Sequence, residues 1–251
     1  MLNLKILTNT IVANLEKSAL NFSYLEELVG KYSLVGDSPF FDVEQFPWAK
    51  ELEANWLTIR KELDGVMGRV TELPNYQDIS GRQQNITDDD RWKTYFFYAF
   101  GFQATKNCQR CPETTKLLEK IPGLKVAFFS ILAPHKHIPE HRGKHKGLIR
   151  YHLGLLVPEP KSHCKIKIDN QIVCWEEGKS LIFDDTFLHE VWNDTDGYRA
   201  VLFLDIARPL KFPLSLVNWL VSQLIAKSDI VREAKTNYEN WERNFEGGVH
   251  W

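Results

Sequence analysis

Between Lys125 and Ile206 the chain runs as a series of short apolar stretches, and this series limits the fold more than any other feature. "KVAFFSIL", "LIRYHLGLLV", "CKIKID", "QIVCW", "KSLIFD", "HEVW" and "RAVLFLDI" follow one another closely. Their breaks carry Pro, Gly, Asn and Asp, among them Asp169-Asn170 and Glu177-Gly178. Short strands at such spacing, with turn formers between them, predict an antiparallel sandwich or jelly roll rather than alternating βα units.

Helical patterns flank this core. In "DVEQFPWAKELEANWLTIRKEL", Trp48, Leu52, Trp56, Ile59 and Leu63 recur at three- and four-residue steps, which predicts one amphipathic helix opened by Pro47. Residues 71–91 are polar without periodicity and read as a long loop, "WKTYFFYAFG" as a strand, and "PETTKLLEKIPG" as a short helix. After Pro213, Leu216, Val217, Leu220, Val221, Leu224 and Ile225 form one stripe, expected to cover a sheet in preference to a membrane surface, and a second helix begins near Ser228. The predicted organisation is a helical extension (1–37), a mainly β core (38–210) and a C-terminal helical segment (211–251).

The bulk numbers exclude several classes. A chain of 251 residues with 43% hydrophobic content can bury a sizeable core, and a net charge of -2 gives no general pull towards nucleic acid. Asn, Thr and Lys interrupt the N-terminal "MLNLKILTNTIVANLEKS", so neither a signal-peptide core nor a transmembrane run forms and a soluble, cytoplasmic protein is expected. Four cysteines are too few for a disulfide framework. Cys108 and Cys111 form a CxxC, but with no second close pair and no βαβ context their role reads as structural.

Chemistry enters with the polar residues inside apolar strands. "FDDTFLHEVWNDTDGYRAVLFLDI" reads as a hairpin turning at Asn193–Gly197, with Val191 opposite Arg199 and His189 opposite Val201. His189 and Arg199 would then share one face, a diagonal step of roughly 7–8 Å apart. Five of the eight histidines lie in "HKHIPEHRGKHKGLIRYH"; His135, His137 and His145 fit a solvated surface, whereas His141 stands between Pro139 and Gly143 at the mouth of the next strand. Arg150 and His152 alternate with Ile149, Tyr151 and Leu153 and so face one way. Non-haem Fe(II) oxygenases hold iron with two histidines and usually a carboxylate, leaving positions for a chelating 2-oxo acid and dioxygen, and an arginine suits the far carboxylate of 2-oxoglutarate. His189, Arg199 and an upstream histidine, for which His141 is the best candidate, meet that requirement.

From about Ser38 to Pro209 the sequence resembles the aspartyl/asparaginyl β-hydroxylase family of Fe(II)/2-oxoglutarate-dependent dioxygenases. The blocks that carry the resemblance are "FSILAPHKHIPEHRG", "IRYHLGLLVP" and "WEEGKSLIFDDTFLHEVWNDTDGYRAVLFLDIARP". The resemblance implies a double-stranded β-helix, iron ligands at His141 and His189, and Ser130, Arg150, His152 and Arg199 around 2-oxoglutarate, with Arg199 on its distal carboxylate. An HxD pattern would put a carboxylate at position 143, where this chain has Gly143, a departure shared by animal members of the family. Asp184 and Asp185 are expected to organise the turn before His189 or to act behind the metal ligands.

The reaction implied is oxidative decarboxylation of 2-oxoglutarate to succinate, coupled through dioxygen to hydroxylation of an unactivated C–H. An aspartyl or asparaginyl side chain in a peptide or protein is the first expected substrate. A lipid acyl chain or small molecule is the alternative within the family, and a non-catalytic cupin-like module the alternative outside it. Loop 71–91 and segment 135–146 are the candidate substrate contacts, and Arg82, Lys144 and Lys146 would suit an acidic substrate.

Overall fold

The computed structural model describes residues 19–81 and 85–247. Residues 1–18 of the predicted N-terminal extension, and Arg82, lie outside the described residues. Helix α1 (Ala19–Tyr32) leads into strand β1 (Phe40–Phe41), α2 (Pro47–Ala54), α3 (Trp56–Met67) and the short α4 (Tyr76–Ile79). Then come β2 (Trp92–Ala99), β3 (Phe102–Gln103), α5 (Thr105–Arg110) and α6 (Pro112–Leu118). The strand series follows as β4 (Leu124–Leu132), β5 (Lys136–His141), β6 (Leu148–Leu156), β7 (Cys164–Ile168) and β8 (Gln171–Cys174). It ends with β9 (Ser180–Phe183), β10 (His189–Asn193) and β11 (Arg199–Ala207), before helices α7 (Leu214–Ala226) and α8 (Asp229–Gly247).

Two antiparallel sheets face each other. The larger has seven strands in the order β1-β9-β6-β11-β4-β2-β3, the smaller four in the order β5-β10-β7-β8. This is the expected jelly-roll, cupin-like double-stranded β-helix. The period of two along each strand sorts side chains into two cores. On β11, Ala200, Leu202, Leu204 and Ile206 turn outward to a core shared with Leu52 of α2 and Ile59 and Leu63 of α3. Val201 and Phe203 turn inward, where they join Phe128, Ile138, Ile166, Ile168 and Val191 between the sheets. Arg199 and Asp205 share the inward parity, as Arg150 and His152 do on β6. A polar strip is thereby threaded through an apolar interior.

Three expectations are corrected. The hairpin is absent: β10 pairs with β5 and β7, whereas β11 pairs with β4 and β6. The turn-forming segment crosses from one sheet to the other. Asn193 pins it there, its Nδ2 donating to Leu132 O (3.3 Å), Ala133 O (2.9 Å) and Gly197 O (2.9 Å). Turn chemistry fixes a reversal of direction, and a jelly roll uses that reversal to change sheets. Second, the helix expected over 42–63 is two helices, broken at Asn55 with φ -108° and ψ 12°. Third, the α7 stripe does not cover a sheet: Leu216, Val217 and Leu220 are exposed, and the buried residues of α7 are Asn218 and Ser222.

Cys108 and Cys111 are free and buried, and burial pushes the Cys111 thiol up to about 12, which suits the structural reading. No helix among the described residues is long and apolar enough to cross a membrane.

Candidate active site

The turn before β10 sets the first histidine. Asp184 is fully buried and accepts from Thr186 N (3.0 Å) and Thr186 Oγ1 (2.6 Å), while Arg208 and Lys146 close on its other oxygen. The turn so held presents the Phe187 carbonyl to Nδ1 of His189 at 2.9 Å. On the edge strand β5, where a proline removes no needed ladder bond, the Pro139 carbonyl meets Nδ1 of His141 at 2.8 Å. A carbonyl only accepts, so Nδ1 carries the proton in both rings and each Nε2 keeps its lone pair. A register shift after His189 places His141 directly opposite it, with ring centroids 4.1 Å apart. Burial, then the neighbouring His141 and Arg150, push His189 down to about 3, and burial also lowers His141. Both imidazoles are neutral, the form that binds a metal.

Gly143 lies beside them. A Cβ placed there would stand 2.3 Å from Asp185 Oδ2, and the Gly143 amide donates to the Asp185 carbonyl at 2.7 Å. The Asp185 carboxylate thus fills the volume that a side chain at position 143 would need. Arg150 holds it, Nη2 to Oδ2 at 2.8 Å, and also grips Asp205 from Nε at 2.9 Å. Burial, against the pull of Arg150, raises Asp185 to about 6. The predicted cofactor residue Arg150 therefore already spans two carboxylates. Among the described residues no cluster of three or more His, Cys, Asp or Glu side chains is placed to hold a metal ion.

Changing Gly143 to Asp or Ala should accordingly displace Asp185. Overpacking of this kind costs about 1–3 kcal/mol, and it would loosen the Arg150–Asp185 pair. Turnover should fall in both variants. Activity and thermal midpoint together check this, since a more active Gly143→Asp enzyme would show the glycine to be a defect.

A second constellation lies in the closed interior. Arg199 is only 2% exposed, yet its Nε and Nη1 find no partner and no carboxylate among the described residues pairs with it. Its guanidinium stands 4.5 Å over the ring of Trp175, and burial lowers it to about 10. The Trp175 indole N–H donates to Nδ1 of His152 at 3.3 Å, which leaves the proton on Nε2, and that atom too is buried without a partner. Ser130 Oγ accepts from the Trp92 indole at 3.0 Å and keeps its own hydrogen to donate. Buried donors left unmet are expensive, and a buried cation without a counterion more so. Their convergence is the chemistry of an anion site.

The sequence-predicted residues are thus divided between two facing surfaces, His141 and His189 on the small sheet and Ser130, Arg150, His152 and Arg199 on the large one. His135 and His137 stay outside, paired to Asp196 (3.0 Å) and Glu190 (2.7 Å), whereas His145, also expected on the solvated surface, has its Nε2 buried and lines the neighbouring cavity. Of the expected substrate contacts, Lys144 lines the neighbouring cavity, whereas Lys146 is buried against Asp37 and Asp184. Two participants went unread. Asp205 has the inward parity of Arg199 and could have been found from it, but Trp175 carries no local signal.

The aspartyl/asparaginyl β-hydroxylase family model matches residues 53–209, a span that includes every residue of the site. The chain belongs to the aspartyl/asparaginyl β-hydroxylase family. An ornithine lipid ester-linked acyl 2-hydroxylase from Rhizobium tropici is 46% identical over 223 residues, covering 89% of this chain and 79% of that protein. The aspartyl/asparaginyl β-hydroxylase of Homo sapiens is 36% identical over 165 residues, 64% of this chain. This β-hydroxylase family member spans only 21% of the human protein's length. A solved cupin_2 domain of an XRE-family transcriptional regulator from Enterobacter cloacae aligns over 46% of the chain at 16% identity with a TM-score of 0.32.

Beside the histidines a cavity of about 750 Å³ opens onto His141, Gly143, Arg150 and Asp185. Away from that end its wall is mostly apolar, with Ser80, Asn85 and Lys235 among its polar members. Ile79 and Ile86 from the segment read as a loop, Phe96 and Phe102 from β2 and β3, and Ile230 and Val231 from α8 supply the apolar part. The expected substrate loop does reach the cavity, with a hydrophobic contribution.

Proposed function

We propose that this hydroxylase-family protein is an Fe(II)- and 2-oxoglutarate-dependent enzyme that hydroxylates the acyl chain of a lipid close to its polar end. The mostly apolar cavity wall running from His141 to α8 carries the choice of substrate. A peptide carboxylate or amide would look there for polar partners. Of the cations lining the cavity, Arg150 is held by Asp185 and Asp205, Arg142 by Glu26 at 2.7 Å and Lys235 by Glu239 at 3.7 Å, while Lys144 stands at the rim and not along the wall. An acyl chain asks only for apolar surface, worth roughly 25 cal/mol per Å² covered. His141 stands in the polar rim with Arg142 and Lys144, so the carbon nearest it would be one near the chain's polar end. The relative described as an acyl 2-hydroxylase, similar over most of both chains, supports the same reading.

In this reading Nε2 of His141 and of His189 hold the iron. Arg199, with the His152 Nε2–H and the Ser130 hydroxyl, receives the carboxylate end of 2-oxoglutarate in a charge-assisted fork. The unmet donors of Arg199 and His152 are what such a co-substrate would satisfy. When bound, the iron would let dioxygen serve as the oxidant while 2-oxoglutarate supplies two electrons, one oxygen atom passing to succinate with loss of carbon dioxide and the other converting a C–H to C–OH. The Phe187 and Pro139 carbonyls fix the ring orientations, and Arg150 keeps Asp185 folded over Gly143, close to the histidine pair.

Purified protein given Fe(II), 2-oxoglutarate and oxygen should convert ester-linked acyl chains of a bacterial lipid extract to products heavier by one oxygen. Fragmentation should place that oxygen near the carbonyl. If the oxygen instead entered Asp or Asn of added peptides, with lipids untouched, the acyl reading would fall.

A further inference from the structure

Helix α7 is built inside out. A helix on the surface of a water-soluble domain turns its apolar stripe inward and its polar face to solvent. Here Asn218 (7% exposed) and Ser222 (3%) are the buried residues, Val221, Leu224 and Ile225 are half-buried, and Trp219 is 54% exposed. Leu216, Val217 and Leu220 stand out beside it, and Phe212, just before the helix, is 77% exposed. The inward polar face has a definite docking role: Asn218 Nδ2 donates to the Gly147 carbonyl at 2.9 Å. The outward face is therefore the designed surface of a helix clamped through its polar side, not the wrong side of one that failed to pack.

The surroundings say what the face meets. No acidic residue lies between Asp205 and Asp229, and α7 itself carries no charge. The exposed charges bounding it, Lys211 and Lys227, are both basic. The backbone links Lys211 N to Tyr32 O (2.9 Å) and Leu34 N to Pro209 O (2.9 Å), which brings the exposed Leu34 to the leading end of the helix. Thirteen residues span only about 20 Å, short of the roughly 30 Å hydrocarbon core, so the helix can lie in a bilayer surface but not cross it. An apolar face with an outward tryptophan suits a bilayer interface, and a lysine at either end favours anionic lipid there. Gly147, which α7 clamps, follows His145 and Lys144 of the cavity rim, and α8, which adjoins α7, supplies the cavity's far wall.

We infer that α7 docks this protein onto the surface of an anionic lipid bilayer, which sets the cavity mouth beside the lipids. The choice of bilayer over a second copy of the chain rests on the acyl-chain reading above, whereas the outward apolar face does not.

The test is flotation of the full-length protein with vesicles of phosphatidylcholine containing one third phosphatidylglycerol, beside the Leu216→Glu/Leu220→Glu double variant. Both positions are open to solvent, so the variant should fold with an unchanged thermal midpoint. We expect wild type to float and the variant's bound fraction to drop roughly tenfold or more. The variant should still hydroxylate detergent-dispersed lipid and lose turnover only on vesicles. Wild type that stays in solution, or a folded variant that floats equally well, would overturn the inference. So would a dimer that dissociates on Leu220→Glu without vesicle binding. Protein that floats but hydroxylates no lipid in either form would leave α7 as a docking helix and refute the acyl reading alone.

Discussion

Replacing either His141 or His189 with alanine is expected to abolish turnover. Removing a group that merely orients a metal ligand costs about 10- to 100-fold, and deleting one of the two proposed ligands should cost more than that. The geometry makes the prediction selective. His141 and His189 each spend Nδ1 on a backbone carbonyl and keep Nε2 free, with ring centroids 4.1 Å apart. His137 stacks on Trp192 and pairs with Glu190, and His135 pairs with Asp196. Fe(II) binding, measured anaerobically, should vanish in His141→Ala and His189→Ala and persist in His135→Ala and His137→Ala. Metal lost with His137 but retained without His141 would overturn the assignment of the whole segment.

Arg199 should separate co-substrate binding from metal binding. The loss of its fork removes charge-assisted hydrogen bonds worth on the order of 2–3 kcal/mol, so Arg199→Met should raise the 2-oxoglutarate requirement roughly 30- to 150-fold. Iron affinity should hardly move. The same variant should also leave the ligand-free protein as stable as wild type or more so, because a buried cation with no counterion is replaced by an apolar side chain. Wild type loaded with Fe(II) without oxygen should gain about 2.7 kcal/mol at 2-oxoglutarate a hundredfold over its Kd. Arg199→Met should gain almost none at that concentration. A variant that unfolds earlier than wild type and is still protected by 2-oxoglutarate would make Arg199 a structural residue.

The pair Arg199 and His189 shows how much of the site the sequence carried. Both were legible as polar interruptions of apolar strands, and both face the interior. Their relation was not legible. A ladder diagonal was expected, and they stand instead on facing sheets, because Asn193–Gly197 specifies a reversal without specifying the strand to which the chain returns. Helix α7 shows the same limit from another side. Its 3.6-residue period was plain, but a period says only that one face is apolar; whether that face turns inward depends on partners that periodicity does not contain. Gly143 could be noted as the missing carboxylate, yet the occupation of its volume by Asp185 joins residues 42 positions apart and needed coordinates. Strand placement was more legible, because each strand's residue types and breaks were local.

The most direct test of the central claim is the stoichiometry of the reaction in purified protein. Succinate released and acyl hydroxyl formed should be counted together, with wild type and Arg199→Met compared at limiting 2-oxoglutarate. We predict equal amounts of the two products, both abolished when iron or 2-oxoglutarate is withheld, and both strongly reduced in Arg199→Met. Hydroxylated acyl chains formed without 2-oxoglutarate, or in undiminished yield by the variant, would contradict it.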